Sequence, residues 1–195
     1  ILNINGGLEV DAETAIVARG KAVVNVNKAG TGAVKVNGDI DFNKYSDGYT
    51  IHNNVDSDIN LNLTTNDSYF KGEVYVTNSS KVAEANKNTY KDVTGMQLGL
   101  SNGATWEVTD DNGDGFTFVS TLYGNGGNLV KAEGVEDVTV IVTSDKDGNN
   151  NTGGFEISKL DIKGVDLKIE TDETAFYNTT TEITSDSDVT VDSAK

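Results

Sequence analysis

Pairs of apolar residues recur along this chain, and several successive pairs lie 22 residues apart. Each pair has the alternating pattern of a β-strand, in which neighbouring side chains point to opposite faces. The spacing of 22 residues predicts that the following pairs align: Leu2/Ile4 with Val24/Val26; Val74/Val76 with Met96/Leu98; Phe116/Phe118 with Val138/Val140, and these with Leu160/Ile162; and Leu167/Ile169 with Val189/Val191. One further predicted match, Val34/Val36 with Ile59/Leu61, has a spacing of 25 residues. A strand that repeats every ~20–25 residues indicates stacked coils, because one coil cannot bury its apolar face alone.

The composition favours an all-β chain with parallel strands. Proline is absent from the 195 residues, as expected if every coil must donate backbone N–H groups to a neighbour. Frequent Gly, Asn and Asp suit the tight corners of a coiled strand path. Only residues 81–91 (KVAEANKNTYK) have the composition of a short helix.

The charge and the missing residue types exclude several classes of partner. The net charge is −16 and the sequence pI is about 4.2, which argues against nucleic acid or an anionic membrane, since phosphate contacts need clustered Lys and Arg. The charge is consistent with simple solubility, with cation binding or with a basic partner. Cysteine is absent, so disulfides and thiol chemistry are excluded. No stretch approaches the ~20 apolar residues of a transmembrane helix, so we expect no membrane insertion.

The chain is predicted to form one elongated domain over residues 1–195. No Pro- or Ser-rich linker divides it, and because it begins ILNINGG without an initiator Met, we expect a segment of a longer protein with flanks on both sides. The alternative fold is a β-sandwich array, which also needs many short strands. Sandwich strands usually follow one another at 8–12 residues with hairpin turns, which explains the repeat of 22 less directly.

Three motifs in the middle of the chain resemble elements of a known family. Residues 100–109 (LSNGATWEVT) are similar to the L-x-[ND]-G-A-x-W-x-V-T element of pertactin-like bacterial autotransporter passenger domains. Residues 66–72 (NDSYFKG) resemble the D-S-x-F-x-G element that precedes it there, and residues 120–127 (STLYGNGG) resemble the strand and turn that follow. The order of the three agrees. Together they span residues 66–127, about a third of the chain.

The resemblance implies a right-handed parallel β-helix, here of about seven to nine coils. It implies export to the bacterial cell surface or beyond, and a role as an adhesin or a rigid spacer that contacts glycans or proteins on host or bacterial cells. Self-association is a further option. Members of the family normally end in a membrane barrel, and this chain contains none of that sequence. The motifs are structural, so the residues that would bind a ligand stay unknown.

Two acidic loops have spacing that suits calcium, whose ligands are oxygens converging in a sharply turning loop. In the first loop, Asp110, Asn112 and Asp114 match positions 1, 3 and 5 of an EF-hand, although Thr121 occupies position 12. In the second loop, the matching residues are Asp145, Asp147, Asn149, Asn151 and, at position 12, Glu156. The alternative is that both loops are ordinary corners, because Asp, Asn and Gly are common in any tight turn.

The sequence gives poor support for catalysis, and the chain is predicted not to be an enzyme. His52 is the only histidine and there is no cysteine, so neither a nucleophilic triad nor a zinc cluster can be assembled. The alternative is a polysaccharide-degrading β-helix enzyme of the pectate lyase or glycosidase type. A lyase would need a basic group near the proton that it abstracts. Arg19, the only arginine, is the candidate for that group. A glycosidase would need paired carboxylates, such as Asp110–Asp111 or Asp56 with Asp58.

Aromatic residues are the remaining candidates for ligand contact. Trp106 alternates with Ala104 and Val108 and is expected to fill the core. Tyrosines concentrate in the first half of the chain, where they could stack on sugars or cover coil corners: Tyr45, Tyr49, Tyr69, Tyr75 and Tyr90.

Overall fold

Parallel strands in three sheets form most of the described part of the protein. The structure, a computed structural model, describes residues 1–43, 45–46, 51–52, 57–77, 90, 93–143, 154–171 and 181–193. Among these residues there is no α-helix, and no helix has the length and apolarity needed to cross a membrane. Of the predicted helix over residues 81–91, only Tyr90 lies among the described residues.

Each sheet collects strands that are distant in sequence. Sheet 1 contains β1 (Leu2–Ile4), β3 (Val23–Val26), β7 (Asp58–Leu63), β10 (Met96–Leu100), β13 (Thr121–Gly124) and β16 (Gly154–Ile157) in that order. Sheet 2 contains β2 (Leu8–Ala18), β4 (Val34–Phe42), β8 (Tyr69–Gly72), β11 (Thr105–Val108), β14 (Gly127–Lys131), β17 (Lys159–Lys163) and β19 (Glu182–Ser185), with β9 (Val74–Tyr75) also paired to β4. Sheet 3 contains β12 (Phe116–Val119), β15 (Thr139–Thr143), β18 (Asp166–Thr171) and β20 (Val189–Ser193).

The chain visits the sheets in a regular rotation. The first strands alternate between sheets 1 and 2, and from β10 onward three successive circuits pass through sheets 1, 2 and 3 in the same order. The pairings within all three sheets are parallel, and the one antiparallel pair in the described residues joins β5 (Tyr45–Ser46) to β6 (Ile51–His52). A β-sandwich array, which requires antiparallel hairpins, is therefore wrong. Sheet 2 contains seven rungs.

Alignment between rungs produces columns of buried apolar side chains. In sheet 2, each member of one column pairs with the next: Val36, Phe70, Trp106, Leu129 and Ile162. In sheet 1, the corresponding column is Val26, Leu61, Leu98, Leu122 and Phe155. All ten side chains belong to one hydrophobic core. Because each rung covers the apolar face of the previous one, the core is continuous along the stack.

Trp106 lies in this core, as predicted. Its side chain is fully buried, and its ring stacks on Phe70 with centroids 5.6 Å apart. The indole Nε1–H donates a hydrogen bond to the Gly72 carbonyl oxygen at 2.9 Å. A Cβ atom on Gly72 would lie 2.6 Å from the Gly38 carbonyl oxygen, so only glycine lets the two rungs approach this closely.

Inward hydroxyl and amide groups satisfy the backbone where strands end. Thr117 accepts a hydrogen bond from the Val74 N–H at 2.7 Å, and Ser120 accepts one from the Met96 N–H at 3.1 Å. Asn27, fully buried with a φ of 52°, accepts from the Thr31 and Gly32 N–H groups. Such partners matter because an unpaired buried backbone group costs about 1–3 kcal/mol.

The predicted register is correct where corners are short and wrong where the chain makes longer excursions. Leu2/Ile4 pair with Val24/Val26, and Leu167/Ile169 pair with Val189/Val191, as predicted. The separation between stacked side chains is 22 residues for Asn3 and Asn25 but 37 for Asn60 and Gln97. The repeat is therefore spatial and does not have a constant length in sequence.

Four predicted alignments are wrong. Val74 pairs with Ile40, while Met96 pairs with Ile59. In sheet 3 the predicted alignment is displaced by one residue, because Phe116 pairs with Thr139 and Phe118 with Ile141. Two further predicted matches fail because the paired strands belong to different sheets: Val34/Val36 with Ile59/Leu61, and Val138/Val140 with Leu160/Ile162.

Replacing Trp106 tests the stacked core. We expect Trp106→Ala to lower the free energy of unfolding by about 3–5 kcal/mol, because it leaves a large cavity against Phe70. Trp106→Phe keeps a ring on Phe70 but leaves the Gly72 carbonyl without its donor, so its loss should be about 1–2 kcal/mol. The outward-facing neighbour provides the control, and Thr105→Ala should change stability by less than about 0.5 kcal/mol. Urea denaturation measures all three, and equal effects of Trp106→Ala and Thr105→Ala would contradict a buried Trp106.

Candidate cation site

Acidic side chains from successive rungs of sheet 2 and from the loop after β11 lie close together. We call this the acidic corner and define it by six residues: Glu13, Asp39, Glu73, Asp110, Asp111 and Asp114. Thr14, next to Glu13, pairs with Asp39, and the Asp39 carboxylate in turn accepts a hydrogen bond from the Glu73 N–H. Glu73 then accepts a hydrogen bond from the loop that contains the last three residues. The corner thus concentrates negative charge from strands that are far apart in sequence.

Glu73 is the most constrained residue of the acidic corner. It is the single residue between β8 and β9, which pair with different parts of β4. Its N–H donates to Asp39 Oδ1 at 3.0 Å, and its carbonyl oxygen accepts from the Ile40 N–H at 2.9 Å. These bonds fix the backbone and direct the side chain toward the next rung.

The Glu73 carboxyl is fully buried, and only one of its oxygens has a hydrogen-bond partner. Oε1 accepts the Asn112 N–H at 2.8 Å, whereas Oε2 has no hydrogen-bond partner. Burial raises the pKa of this carboxyl from 4.5 to about 8; the Asn112 N–H opposes the rise, and the negative charges of Asp39, Asp114 and Asp110 add to it. Burial is also the main cause that raises the pKa of Asp39.

The loop between β11 and β12 folds around its own carboxylates. Asp110 Oδ1 accepts the Gly115 N–H at 3.0 Å, and Asp114 Oδ1 accepts the Phe116 N–H at 3.1 Å. The Asn112 side chain accepts the Asp114 N–H at 2.9 Å. Aspartate and asparagine side chains often hydrogen-bond the backbone in this way within turns. The bonds hold Asp110 and Asp114 on the side of the loop that faces Glu73.

The three carboxylates are close enough to share one cation. Glu73, Asp110 and Asp114 each offer one oxygen, and these oxygens lie within 4.8 Å of one another. Calcium binds oxygen ligands at about 2.3–2.6 Å, so two ligands on opposite sides of the ion are about 5 Å apart. The spacing therefore fits a calcium-sized ion between all three groups.

A cleft of about 560 Å³ adjoins the acidic corner. Glu13, Asp39, Glu73 and Asp111 line it together with Lys71 and Tyr75. Lys71 makes an ion pair with Glu107 at 2.8 Å, which raises the pKa of its ammonium group. The cleft wall is therefore strongly anionic, and its one lysine is already paired.

The candidate ligands of the first predicted loop have different surroundings in the structure. Asp110 and Asp114 face the same point, as the spacing predicts. Asn112 instead uses its side chain to hold the loop, and Thr121 lies in β13, where its hydroxyl accepts the Gly154 N–H. Glu73 supplies the carboxylate that position 12 lacks. Sequence spacing missed Glu73 because it is brought to the loop by pairing of Gly72 with Val108.

The second predicted calcium loop cannot be compared with the structure. Asp145, Asp147, Asn149 and Asn151 lie outside the described residues. Glu156, its candidate twelfth position, is an exposed residue of β16 that pairs with Tyr123.

The catalytic candidates among the described residues lie on strand ends and at the acidic corner. Arg19 is exposed directly after β2, and Asp58 is exposed in β7. Asp56 and the His52 side chain lie outside the described residues. Asp111 lines the cleft, whereas Asp110 accepts a hydrogen bond from the Gly115 N–H.

The tyrosines divide between core and surface. Tyr90 is buried and packs on Phe116 and Phe118, with centroids 5.2 and 5.6 Å apart, so it is part of the core. Tyr69 and Tyr75 are half-buried, and Tyr75 lines the cleft. Tyr49 and the Tyr45 side chain lie outside the described residues.

Comparisons with protein-family models, with curated proteins and with solved structures found no match.

The raised pKa of Glu73 predicts how stability depends on pH. Between about 4.5 and about 8 the folded protein keeps the Glu73 proton more often than the unfolded chain does. The folded state then binds more protons, so this group lowers the free energy of unfolding as the pH rises through that window. The Glu73→Gln side chain cannot ionise. With chelator present to remove metal ions, the free energy of unfolding of this variant should therefore fall less between about pH 5 and about pH 8 than that of the unmodified protein.

Urea denaturation at the two pH values measures this dependence. Asp67→Asn, which removes one charge from an exposed turn, provides the matched control. If Glu73→Gln and the unmodified protein lose the same free energy across the window, Glu73 does not titrate as described.

Proposed function

We propose that this chain is a right-handed parallel β-helix segment of a bacterial surface protein of the autotransporter passenger type. In this role it acts as an adhesin or rigid spacer and is extracellular or displayed at the cell surface. The observation that carries the proposal is the repeated circuit through three parallel sheets with aligned rungs. Such stacking favours a stiff rod, because each rung contacts mainly its neighbours and extends the same core.

The outward face of sheet 1 is the part of the rod best suited to attachment. Asn3, Asn25, Asn60 and Gln97 lie on successive aligned rungs. Asn25 donates a side-chain hydrogen bond to Asn3 at 2.9 Å, and Asn60 donates one to Gln97 at 3.0 Å. These amides form a polar row with a repeat of about 4.8 Å.

Tyr123, in the neighbouring column, reaches the polar row with its hydroxyl. Its ring lies over Gly99, where a Cβ atom would be only 2.6 Å from the ring carbon Cζ, and its hydroxyl hydrogen-bonds Asn60 Oδ1 at 3.0 Å. Amide groups and a tyrosine ring match the hydroxyls and apolar faces of sugars. We therefore favour a cell-surface glycan as the ligand, with many weak contacts spread along the row.

Binding assays separate this role from the alternatives. The chain should bind intact cells or a glycan array and release no unsaturated or reducing ends from acidic polysaccharides. Release of such ends would instead identify a polysaccharide-degrading enzyme. Absence of both binding and release would leave only the spacer role.

The polar row can be tested by paired substitutions. Asn60→Ala with Gln97→Ala should weaken glycan or cell binding about tenfold, which corresponds to about 1.4 kcal/mol. Lys35→Ala with Thr105→Ala, on the outward face of sheet 2, should leave binding unchanged and serves as the matched control. Equal losses in the two double variants would contradict attachment through sheet 1.

A further inference from the structure

We propose that Glu73, Asp110 and Asp114 bind one calcium ion, which fastens the β8–β9 corner to the β11–β12 loop on the next rung. This inference goes beyond the proposed attachment role, which does not require a cation. Asn112 and Glu73, already hydrogen-bonded, are 39 residues apart in sequence. The ion would therefore cross-link two rungs in a chain that has no disulfides.

Two independent observations support the site. The first is the convergence of three carboxylate oxygens within 4.8 Å. The second is Glu73 Oε2, which is buried and has no hydrogen-bond partner. A buried carboxylate with an unpaired oxygen is unfavourable unless it is protonated or meets a positive charge. A cation between the three groups would supply that charge and would also reduce their mutual repulsion.

The chemistry of the site favours calcium over other ions. All three protein ligands are carboxylate oxygens, which hard cations prefer, and there is no histidine or cysteine in the cluster. Magnesium demands a near-ideal octahedron and is usually held by one or two carboxylates and several waters, whereas this cluster offers three carboxylates. Calcium accepts longer distances and 6–8 ligands, and water or backbone carbonyls can complete its shell.

The loop geometry indicates what binding would change. Asp110 and Asp114 are fixed by hydrogen bonds from the backbone of their own loop, whereas Glu73 is fixed by bonds to β4. A shared ion couples these two structures, so opening of the loop would require loss of the ion. Calcium should therefore stabilise the folded chain by mass action.

Isothermal titration calorimetry with calcium chloride tests the proposal on the full chain after removal of metal with chelator. We expect one ion per chain, and a rise in melting temperature of about 3 °C when calcium is about tenfold above its Kd. Glu73→Gln and Asp114→Asn should each raise the Kd at least about tenfold. Both variants keep an oxygen that can accept the backbone N–H bonded to the native carboxylate.

Asp67→Asn is the matched control, since it removes one negative charge from an exposed turn outside the cluster. Its Kd for calcium should equal that of the unmodified protein. No saturable heat with millimolar calcium, or unchanged affinity in the Asp114→Asn variant, would overturn the site. Because Asp114→Asn alters only the loop, it decides the question even if Glu73→Gln fails to fold. Glycan binding is a separate readout, so failure here leaves the attachment proposal intact.

Discussion

Parallel hydrogen bonding between strands that are distant in sequence holds every other feature of this protein in place. A rung is stable only when its N–H and C=O groups meet those of its neighbours, and a shift of one residue would turn its apolar side chains outward. The column that contains Phe70, Trp106 and Leu129 exists only in the observed register. The close approach of Gly72 to Gly38 depends on the same alignment.

The acidic corner is a consequence of that alignment. Because Val108 lies beside Gly72, the residues that follow them, Glu73 and the loop beginning at Thr109, must occupy the same corner. The Asn112 N–H partly compensates the Glu73 carboxylate, and Oε2 is left without a hydrogen bond. Packing has therefore placed a buried carboxyl next to two others. The chemical outcome is a group that prefers either a proton or a shared cation.

The sequence was sufficient to predict parallel strands, a continuous core and the burial of Trp106. It was also sufficient for the register at both ends of the described stack, where Leu2 pairs with Val24 and Leu167 with Val189. In the middle of the chain, the alternation of apolar and polar residues identified strands such as β10 but did not indicate which strands pair with them. Met96 pairs with Ile59 across a long intervening segment, and a constant spacing of 22 residues cannot anticipate that length. Glu73 was missed for the same reason, since its neighbours are set by register and not by local spacing.

Engineered disulfides measure the register most directly, because the natural chain has no cysteine to compete. Lys71 and Glu107 are aligned neighbours on the outward face of sheet 2, and adjacent strands are about 4.8 Å apart, within the usual Cα separation of a disulfide. Thr105 is two residues away on the same face, roughly 8 Å from Lys71. Oxidation should cross-link Lys71→Cys with Glu107→Cys efficiently and Lys71→Cys with Thr105→Cys poorly. Equal cross-linking, or the reverse preference, would contradict the stacked register from which the core, the acidic corner and the polar row all follow.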